Sequence, residues 1–379
     1  MKIPKVVLLA LFMAGCESNS VNVSQINHFI DSLRAAYAPD KRTAVFDVSV
    51  REENGRIILA GEMDQPKAKQ SLLDVIRNTT GLPIVDSVEL LPSANLGTKI
   101  DGIVDISVAN MRSTPHSSAE MVNQVLLGHS VKVLKKQGGR LLIKSEDNYL
   151  GWVDPISICR VDSAHMAEYD KTRKLLVTRT FGAIRSSVDN GSTVSDVVMA
   201  DLLVPVAKEG DFYQVKLPDG RTGYVHQSDV EYADIYFAAH HPTAVGIEKI
   251  AKEFIGFPYL WGGTSVKGFD CSGFTKTVFR MNGIDLPRDA SQQVFLGEDV
   301  DPGKNFGNLK PGDLLFFGEK AINGRPEKIV HVGIYLGNGQ FIQSSGMVRI
   351  SSFFKADSSI FDEYDLNRFV RAKRILKNN

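Results

Sequence analysis

The chain has 379 residues, of which 43% are hydrophobic. This length and composition predict about two to four domains, with cores large enough to fold without crosslinks. The 3 cysteines are too few for a disulfide framework. The 44 basic and 44 acidic residues balance, so the chain has no net field to attract a polyanion. We therefore expect no nucleic-acid partner.

The N-terminus has the pattern of a bacterial lipoprotein signal peptide. A basic start is followed by a short apolar run and by Ala14-Gly15 directly before Cys16. The run is shorter than the about 20 apolar residues that a membrane span needs. The pattern over residues 1–16 therefore predicts acylation of Cys16 and a lipid anchor in the cell envelope, facing the periplasm. The alternative is an ordinary secretory signal with a chance cysteine.

Residues 23–95 predict a small α+β module in the order helix, strand, strand, helix, strand. Apolar residues from Val23 to Tyr37 recur with helical period, those from Phe46 to Val50 alternate as in a strand, and Asn54-Gly55 is a hairpin turn. The order resembles a BON-type module, which implies attachment to the envelope or to lipid. A spacer without chemistry is the alternative.

Short strands separated by frequent turns follow, and they predict two small all-β barrels. Residues 102–160 closely resemble a bacterial SH3-like domain, and residues 172–235 are a weaker copy. Gly151-Trp152-Val153 in the first and Gly223-Tyr224-Val225 in the second mark the same closing strand.

The strongest chemical signal is a cysteine with a histidine far downstream. Cys271 precedes an apolar-periodic helix, where the dipole and free N–H groups favour a thiolate and can stabilise an oxyanion. His331 and Gln343 lie on two strands joined by residues 337–339, and pairing parity places them on one sheet face, a diagonal step apart. The three predict a nucleophile, its base and an orienting amide. Cys159 lacks such surroundings, and we expect it to be a buried structural residue.

Residues 243–377 resemble the NlpC-type family of bacterial cell-wall cysteine peptidases. The segments that carry the resemblance are Tyr259–Gly263, Asp270–Phe274, Pro311–Phe317, His331–Tyr335 and Phe341–Gly346. The resemblance implies a papain-like α+β peptidase domain with Cys271, His331 and Gln343 as catalytic residues, without a metal or organic cofactor. The sequence departs from the commonest family pattern at Gln343, where a second histidine is usual, and at Ala290, where a serine is often found.

An SH3-like barrel before the catalytic domain resembles the dipeptidyl-peptidase branch of this family. That branch hydrolyses the bond between γ-D-glutamate and the diamino acid of murein peptides and releases L-Ala-D-Glu. The resemblance implies that Glu120, Tyr149, Tyr259, Asp270 and Ser272 bind the free N-terminal ammonium of the substrate. Otherwise Glu120 is a solvated acid and Tyr149 a barrel core residue. The alternative function is an endopeptidase on intact peptidoglycan that uses the barrels to bind the wall. A binding protein, an amidase and an acyltransferase are further alternatives.

Overall fold

The computed structural model describes residues 23–189, 191–322 and 324–376. Cys16 and the signal peptide predicted around it lie outside these residues. The chain divides into two compact units between Leu90 and Leu91. In the described part of the chain, no helix is both long enough and apolar enough to cross a membrane.

The first unit contains the predicted elements in the predicted order. They are α1 (Val23–Tyr37), β1 (Phe46–Glu53), β2 (Arg56–Met63), α2 (Pro66–Thr80) and β3 (Ile84–Leu90). Strand β2 pairs antiparallel with β1 and parallel with β3, because α2 carries the chain back across the sheet. The apolar faces of both helices, with Ile30, Leu72 and Ile76, pack on Ile57 and Leu59 of β2. The resemblance to a BON-type module stays a prediction.

The second unit begins with a small β-barrel followed by a short helix. Its elements are β4 (Asp101–Val104), β5 (Val108–Arg112), β6 (Met121–Leu126), β7 (Ser130–Gln137), β8 (Arg140–Ser145), β9 (Leu150–Val153), β10 (Ile158–Val161) and α3 (Ser163–Lys171). The strands pair in the order β10-β4-β7-β8-β9-β5-β6. Val104, Met111, Val133 and Ile143 fill the interior. Cys159, on β10, is half-buried, and its thiol donates to the carbonyl of Pro218 at 3.2 Å.

The next strands repeat this topology. They are β11 (Leu175–Val177), β12 (Phe181–Arg185), β13 (Thr193–Val198), β14 (Leu202–Glu209), β15 (Phe212–Lys216), β16 (Thr222–His226) and β17 (Val230–Tyr232). Their order, β17-β11-β14-β15-β16-β12-β13, is that of the first barrel strand for strand. In the first barrel Trp152 of the closing strand pairs with Arg112, and in the second barrel Tyr224 pairs with Arg185. Two barrels of one topology therefore stand in tandem.

The remaining residues form a mixed domain of helices and antiparallel strands. Its elements are α4 (Ala233–Ala239), α5 (Ala244–Glu253), β18 (Thr264–Ser265), β19 (Gly268–Phe269), α6 (Cys271–Arg280), α7 (Ala290–Gln293), β20 (Glu298–Val300), β21 (Leu314–Glu319), β22 (Lys328–Gly337), β23 (Gln340–Ser345), β24 (Met347–Ser352), α8 (Glu363–Asn367) and β25 (Phe369–Arg374). The main sheet has the strand order β20-β25-β21-β22-β23-β24.

Helix α6 lies across the middle of this sheet. Its buried residues Phe274 and Val278 share a core with Val332 and Ile334 of β22 and Ile342 of β23. Burial of such side chains contributes about 1.5–3 kcal/mol each. This packing fixes the start of α6 beside the strand that carries His331. The α+β class predicted from the sequence is confirmed.

Candidate active site

Cys271 is the first residue of α6, as the sequence predicts. Asp270 caps the helix, because its carboxylate accepts the N–H of Gly273 at 2.7 Å. A Cβ atom on Gly273 would lie 2.0 Å from the carbonyl oxygen of Gly263, so only glycine allows this close approach. The side chain of Cys271 is 8% exposed. The nucleophile is therefore held on a helix start that the preceding loop supports.

The thiol of Cys271 lies against the strand that carries His331. The backbone N–H groups of Val332 and Ser272 lie near its sulfur and act to lower the pKa of the thiol. Val332 directly follows His331 on β22, and His331 is 7% exposed. The fold therefore places the predicted nucleophile, at the start of α6, against the strand residue that follows the predicted base.

His331 and Gln343 meet across β22 and β23. The strands pair Ile334 with Ile342, so Gln343 lies a diagonal step from His331 on the same face, as predicted. The turn differs in detail: Gly337 pairs with Gln340, and a bulge precedes it, so the loop is Asn338-Gly339 rather than residues 337–339. Nε2 of His331 hydrogen bonds to Oε1 of Gln343.

Two acidic residues that sequence reasoning missed lie behind Gln343. The amide nitrogen of Gln343 donates to Asp365 at 2.8 Å, and it also lies 3.2 Å from Asp362 and 3.0 Å from the hydroxyl of Ser351. Gln343 is 0% exposed and Asp365 is 2% exposed. Both acids lie at α8, whose spacing to Gln343 gives no local signal. The base is therefore backed by a buried network rather than by a single amide.

Burial and nearby charges set the pKa of the Cys271 thiol. Burial raises the pKa of Cys271 to about 12, and the negative charge of Asp270 adds to this, whereas the N–H of Val332 and the charge of Arg288 act in the opposite direction. The N–H groups at the helix start favour the thiolate, but burial of the sulfur acts against it and is the larger effect.

His331 is also governed by burial. Removal from water lowers its pKa, while the charge of Asp365 and the hydrogen bond to Gln343 partly oppose this shift. Both shifts favour the uncharged forms, a thiol and a neutral imidazole. A neutral imidazole can take the proton of Cys271 as the sulfur attacks an amide carbonyl, and can then give it to the departing amine. Water hydrolyses the resulting thioester with the same base.

The predicted substrate residue Asp270 is held in a buried ion pair with Arg288. Nη2 and Nη1 of Arg288 lie 2.5 and 3.1 Å from its two carboxylate oxygens, and the N–H of Gly262 donates to it at 3.0 Å. The hydroxyl of Ser272 lies 3.3 Å from Asp270 and 3.0 Å from Arg288. Arg288, 1% exposed, was not assigned this role from the sequence. It neutralises the charge that was expected to face the substrate.

Loss of this ion pair should destabilise the fold strongly. Replacing Arg288 by methionine leaves a buried carboxylate without its cation, and we expect the free energy of unfolding in urea to fall by about 3–5 kcal/mol. Arg371→Met is the control, because Arg371 forms half-exposed pairs with Glu327 and Asp299 that contribute less than about 1 kcal/mol. Equal losses in the two variants would show that the Asp270 pair is not a structural element.

Tyr259 lies beside the nucleophile. Burial raises the pKa of its hydroxyl, and the charges of Cys271 and Asp270 raise it further. Its backbone N–H donates to the carbonyl of Gly346 at 2.9 Å, which fixes the loop against the end of β23. The side chain is half-buried. Among the predicted substrate residues on the catalytic domain, Tyr259 therefore keeps part of its side chain accessible to solvent.

The predicted residues of the first barrel contact the catalytic domain near the cleft. Glu120, which is exposed, accepts a hydrogen bond from Nε1 of Trp261 at 2.7 Å. The hydroxyl of Tyr149, 6% exposed, donates to the carboxylate of Asp289 at 3.0 Å. Tyr149 also belongs to the barrel core, which was the alternative to a substrate contact; the substrate contact itself stays a prediction. Trp261 and Asp289 flank the segments that position Cys271.

The interface between the first barrel and the catalytic domain is close and specific. The amide oxygen of Gln124 accepts the N–H of Thr264 at 3.0 Å and the hydroxyl of Ser265 at 2.9 Å. A Cβ on Gly262 would lie 2.4 Å from the carbonyl oxygen of Met121. These contacts are buried, so the barrel is held in a fixed place beside the active-site loop.

A buried thiol at a helix start, a histidine on the facing strand and an amide that holds the histidine define a cysteine peptidase site. The sequence profile of the NlpC/P60 family matches residues 256–367, and that of the bacterial dipeptidyl-peptidase SH3 domain matches residues 111–157. The chain belongs to the NlpC/P60 family and is a cysteine peptidase.

Two similar proteins are γ-D-glutamyl-L-lysine dipeptidyl-peptidases. The protein of Bacillus subtilis strain 168 is 31% identical over 58% of this chain and 71% of its own length. The protein of Bacillus cereus ATCC 10987 is 30% identical over 59% of this chain and 67% of its own length. The crystal structure of an NlpC/P60 family protein from B. cereus ATCC 10987 shares the fold, with a TM-score of 0.62 at 24% identity over 73% of this chain and 100% of that one.

Among the described residues, no cluster of three or more histidine, cysteine or acidic side chains could hold a metal ion.

Proposed function

We propose that this enzyme hydrolyses the γ-D-glutamyl bond to the diamino acid in murein peptides with a free N-terminal L-alanine, and so releases L-Ala-D-Glu. The observation that carries the proposal is the placement of the first barrel. Its residues Glu120 and Tyr149 contact Trp261 and Asp289 at the edge of the site that holds Cys271. A barrel in this position limits how far a substrate extends beyond its N-terminus.

The charges at this edge support recognition of an ammonium group. Glu120 is exposed and its carboxylate has Trp261 as a neutral partner, so its negative charge is not cancelled there. Asp270, by contrast, is neutralised by Arg288. We therefore assign the main attraction to Glu120, with the phenol of Tyr149 and the carboxylate of Asp289 beside it. Asp270 and Ser272 act by shaping the start of α6, and Tyr259 contacts the peptide.

The similar proteins of Bacillus support the substrate class, since both are named for cleavage of γ-D-glutamyl-L-lysine peptides. For this chain the proposal covers the class of diamino-acid peptides rather than lysine alone. An N-acylated substrate brings no positive charge to Glu120, so the acid loses its solvent without gaining a counter-ion. Acylated stem peptides of intact murein should therefore be poor substrates.

Replacing Glu120 by glutamine tests this assignment. Glutamine keeps an acceptor for Trp261 and removes the charge, so only the attraction to the ammonium is lost. A charge-assisted hydrogen bond contributes about 1.5–3 kcal/mol, or roughly ten- to a hundredfold in affinity. We expect kcat/KM on L-Ala-γ-D-Glu-L-Lys to fall by that factor, mainly through KM, as measured by release of lysine.

Glu209→Gln is the matched control, because Glu209 is an exposed glutamate on β14 of the second barrel. It should leave kcat/KM unchanged. A Glu120→Gln enzyme as active on the tripeptide as the wild type would contradict recognition of the ammonium by the barrel. It would favour an endopeptidase whose barrels bind the wall.

We further propose that the enzyme is anchored in the cell envelope by lipid on Cys16. The support is the basic start, the short apolar run and the small residues directly before that cysteine. Cys16→Ser should move the protein from the membrane fraction to the soluble fraction, or block cleavage of its signal peptide, on fractionation of the producing cells. An unchanged distribution would point to another anchor.

A further inference from the structure

The contact between Gln343 and His331 depends on which way the amide of Gln343 faces. An amide presents an acceptor on one side and a donor on the other. Only Oε1 can accept a hydrogen bond from a protonated Nε2 of His331. If the amide were turned over, its NH2 group would face the ring, and Nε2 would have to be the unprotonated nitrogen. The direction of this amide therefore sets the tautomer of the base.

The acids behind Gln343 fix that direction. A carboxylate accepts hydrogen bonds and donates none, so Asp365, at 2.8 Å, requires the NH2 group of Gln343 on its side. Oε1 is then left for His331. Ser351 places no such constraint, since a hydroxyl both donates and accepts. With Nε2 protonated, Nδ1 is the nitrogen that can take the proton of Cys271.

Asp365 is better placed for this than Asp362. Its Oδ2 is the nearer acceptor, whereas Oδ2 of Asp362 lies 3.2 Å from the amide and also binds Arg349 at 3.0 Å. The other oxygen of Asp365, Oδ1, is held by Nε and Nη2 of Arg368 at 3.0 and 2.9 Å. Arg368 thus fixes the carboxylate so that its second oxygen points at Gln343.

We propose that Asp365 is a positioning residue of the catalytic machinery, which acts through Gln343 to keep His331 in the Nε2-protonated tautomer. The proposal uses the peptidase reaction proposed above only for its kinetic readout. Asp365 lies on α8 and does not contact Cys271, yet in this proposal it takes part in the chemistry of that residue. Its charge also lies near His331, together with those of Asp362 and Arg368.

Asp365→Asn tests the proposal. The new amide has one oxygen for two neighbours, Arg368 and Gln343. Whichever neighbour the oxygen does not face meets the NH2 group instead. Since arginine always donates, we expect the NH2 group to face Gln343 and turn that amide over. Second-shell partners of this kind contribute about 10- to 100-fold, so kcat on L-Ala-γ-D-Glu-L-Lys should fall by that factor, with KM within about twofold.

A spectroscopic readout separates this role from a structural one. In 15N spectra of the substrate-free enzyme, His331 should show a protonated Nε2 in the wild type and a substantial Nδ1-protonated population in Asp365→Asn. The matched control is Asp313→Asn, because Asp313 is 2% exposed and forms a similar pair with Arg374 at 2.7 Å. It should leave the tautomer and kcat unchanged. These spectra need no turnover, so they decide the proposal even if the tripeptide proves not to be the substrate.

A swapped pair guards against a variant that does not fold. In Gln343→Glu with Asp365→Asn, the new carboxylate accepts from both His331 and the new amide, so donors and acceptors match again along these three side chains, while Arg349 keeps the charge of Asp362 paired. The double variant should fold and exceed each single variant at least about tenfold in kcat. Wild-type kcat in Asp365→Asn, an unchanged tautomer there, or no recovery in the double variant would overturn the proposal.

Discussion

Cys271→Ala is expected to lose essentially all hydrolysis of the tripeptide. The substitution removes the atom that forms the covalent bond to the substrate. Among the described residues, no other nucleophile occupies this position beside Val332 and Ser272. Removal of a nucleophile costs a factor of about 10⁶ in kcat in serine peptidases, and we expect a loss of at least about 10⁴-fold here. The measurement is release of the diamino acid by purified enzyme at saturating substrate.

The fold of this variant should survive. Alanine is smaller than cysteine by one sulfur atom, and the core around α6 is built mainly from larger apolar side chains. The control is Cys159→Ala, because Cys159 is the other cysteine in the described part of the chain and lies on β10 of the first barrel. It should retain wild-type kcat. Turnover by Cys271→Ala above about one part in a thousand would rule out Cys271 as the nucleophile.

His331→Ala should be the next most damaging change. Burial raises the pKa of the Cys271 thiol, so attack on the substrate needs a base that removes the proton. A general base contributes about 10²–10⁴ in rate, and this site should lie toward the upper end of that range. The loss should appear in kcat. When His331→Ala is added to the inactive Cys271→Ala variant, the affinity for the tripeptide should change little.

Gln343→Ala should cost less than His331→Ala, because it removes the group that orients the base and leaves the base itself. We expect a loss of about 10- to 100-fold in kcat. Two outcomes would contradict this order. Equal inactivity of the two variants would make Gln343 more than an orienting residue, and full activity of Gln343→Ala would remove it from the catalytic group.

The catalytic register could be predicted because it depends on local pattern. A short turn around Gly337 to Gly339 between two apolar strands fixes which residues share a face, and this holds for His331 and Gln343 even though a bulge alters the turn. Helix starts are equally local, so Cys271 could be placed at one from the residues around it. The repeated strand order of the barrels also follows from patterns within each copy.

The ion pair of Asp270 with Arg288 and the acids behind Gln343 could not be predicted in this way. They depend on how α7 and α8 approach the sheet, which no spacing in the sequence encodes. The raised pKa of the thiol could not be predicted for a related reason. A helix start is visible in a sequence, but the dehydration that outweighs it is a property of the complete fold.

The contact of Glu120 with Trp261 belongs to the same class. It joins a loop of the first barrel to the active-site loop, and it arises from packing between two domains. The resemblance to a family supplied the candidate residue, and the structure supplies its neighbours. Asp289, which meets Tyr149 at the same edge, was not singled out from the sequence as a substrate residue.

The most direct test of the proposed specificity is a comparison of two substrates with the unmodified enzyme. L-Ala-γ-D-Glu-L-Lys and its N-acetylated form differ only at the N-terminal amine, which acetylation makes neutral and larger, and kcat/KM for each is obtained from release of lysine. With Glu120 and its neighbours reading that charge, we expect the free amine to be preferred by at least about a hundredfold. Equal rates on the two peptides would contradict recognition of the ammonium and would favour an endopeptidase acting on intact peptidoglycan.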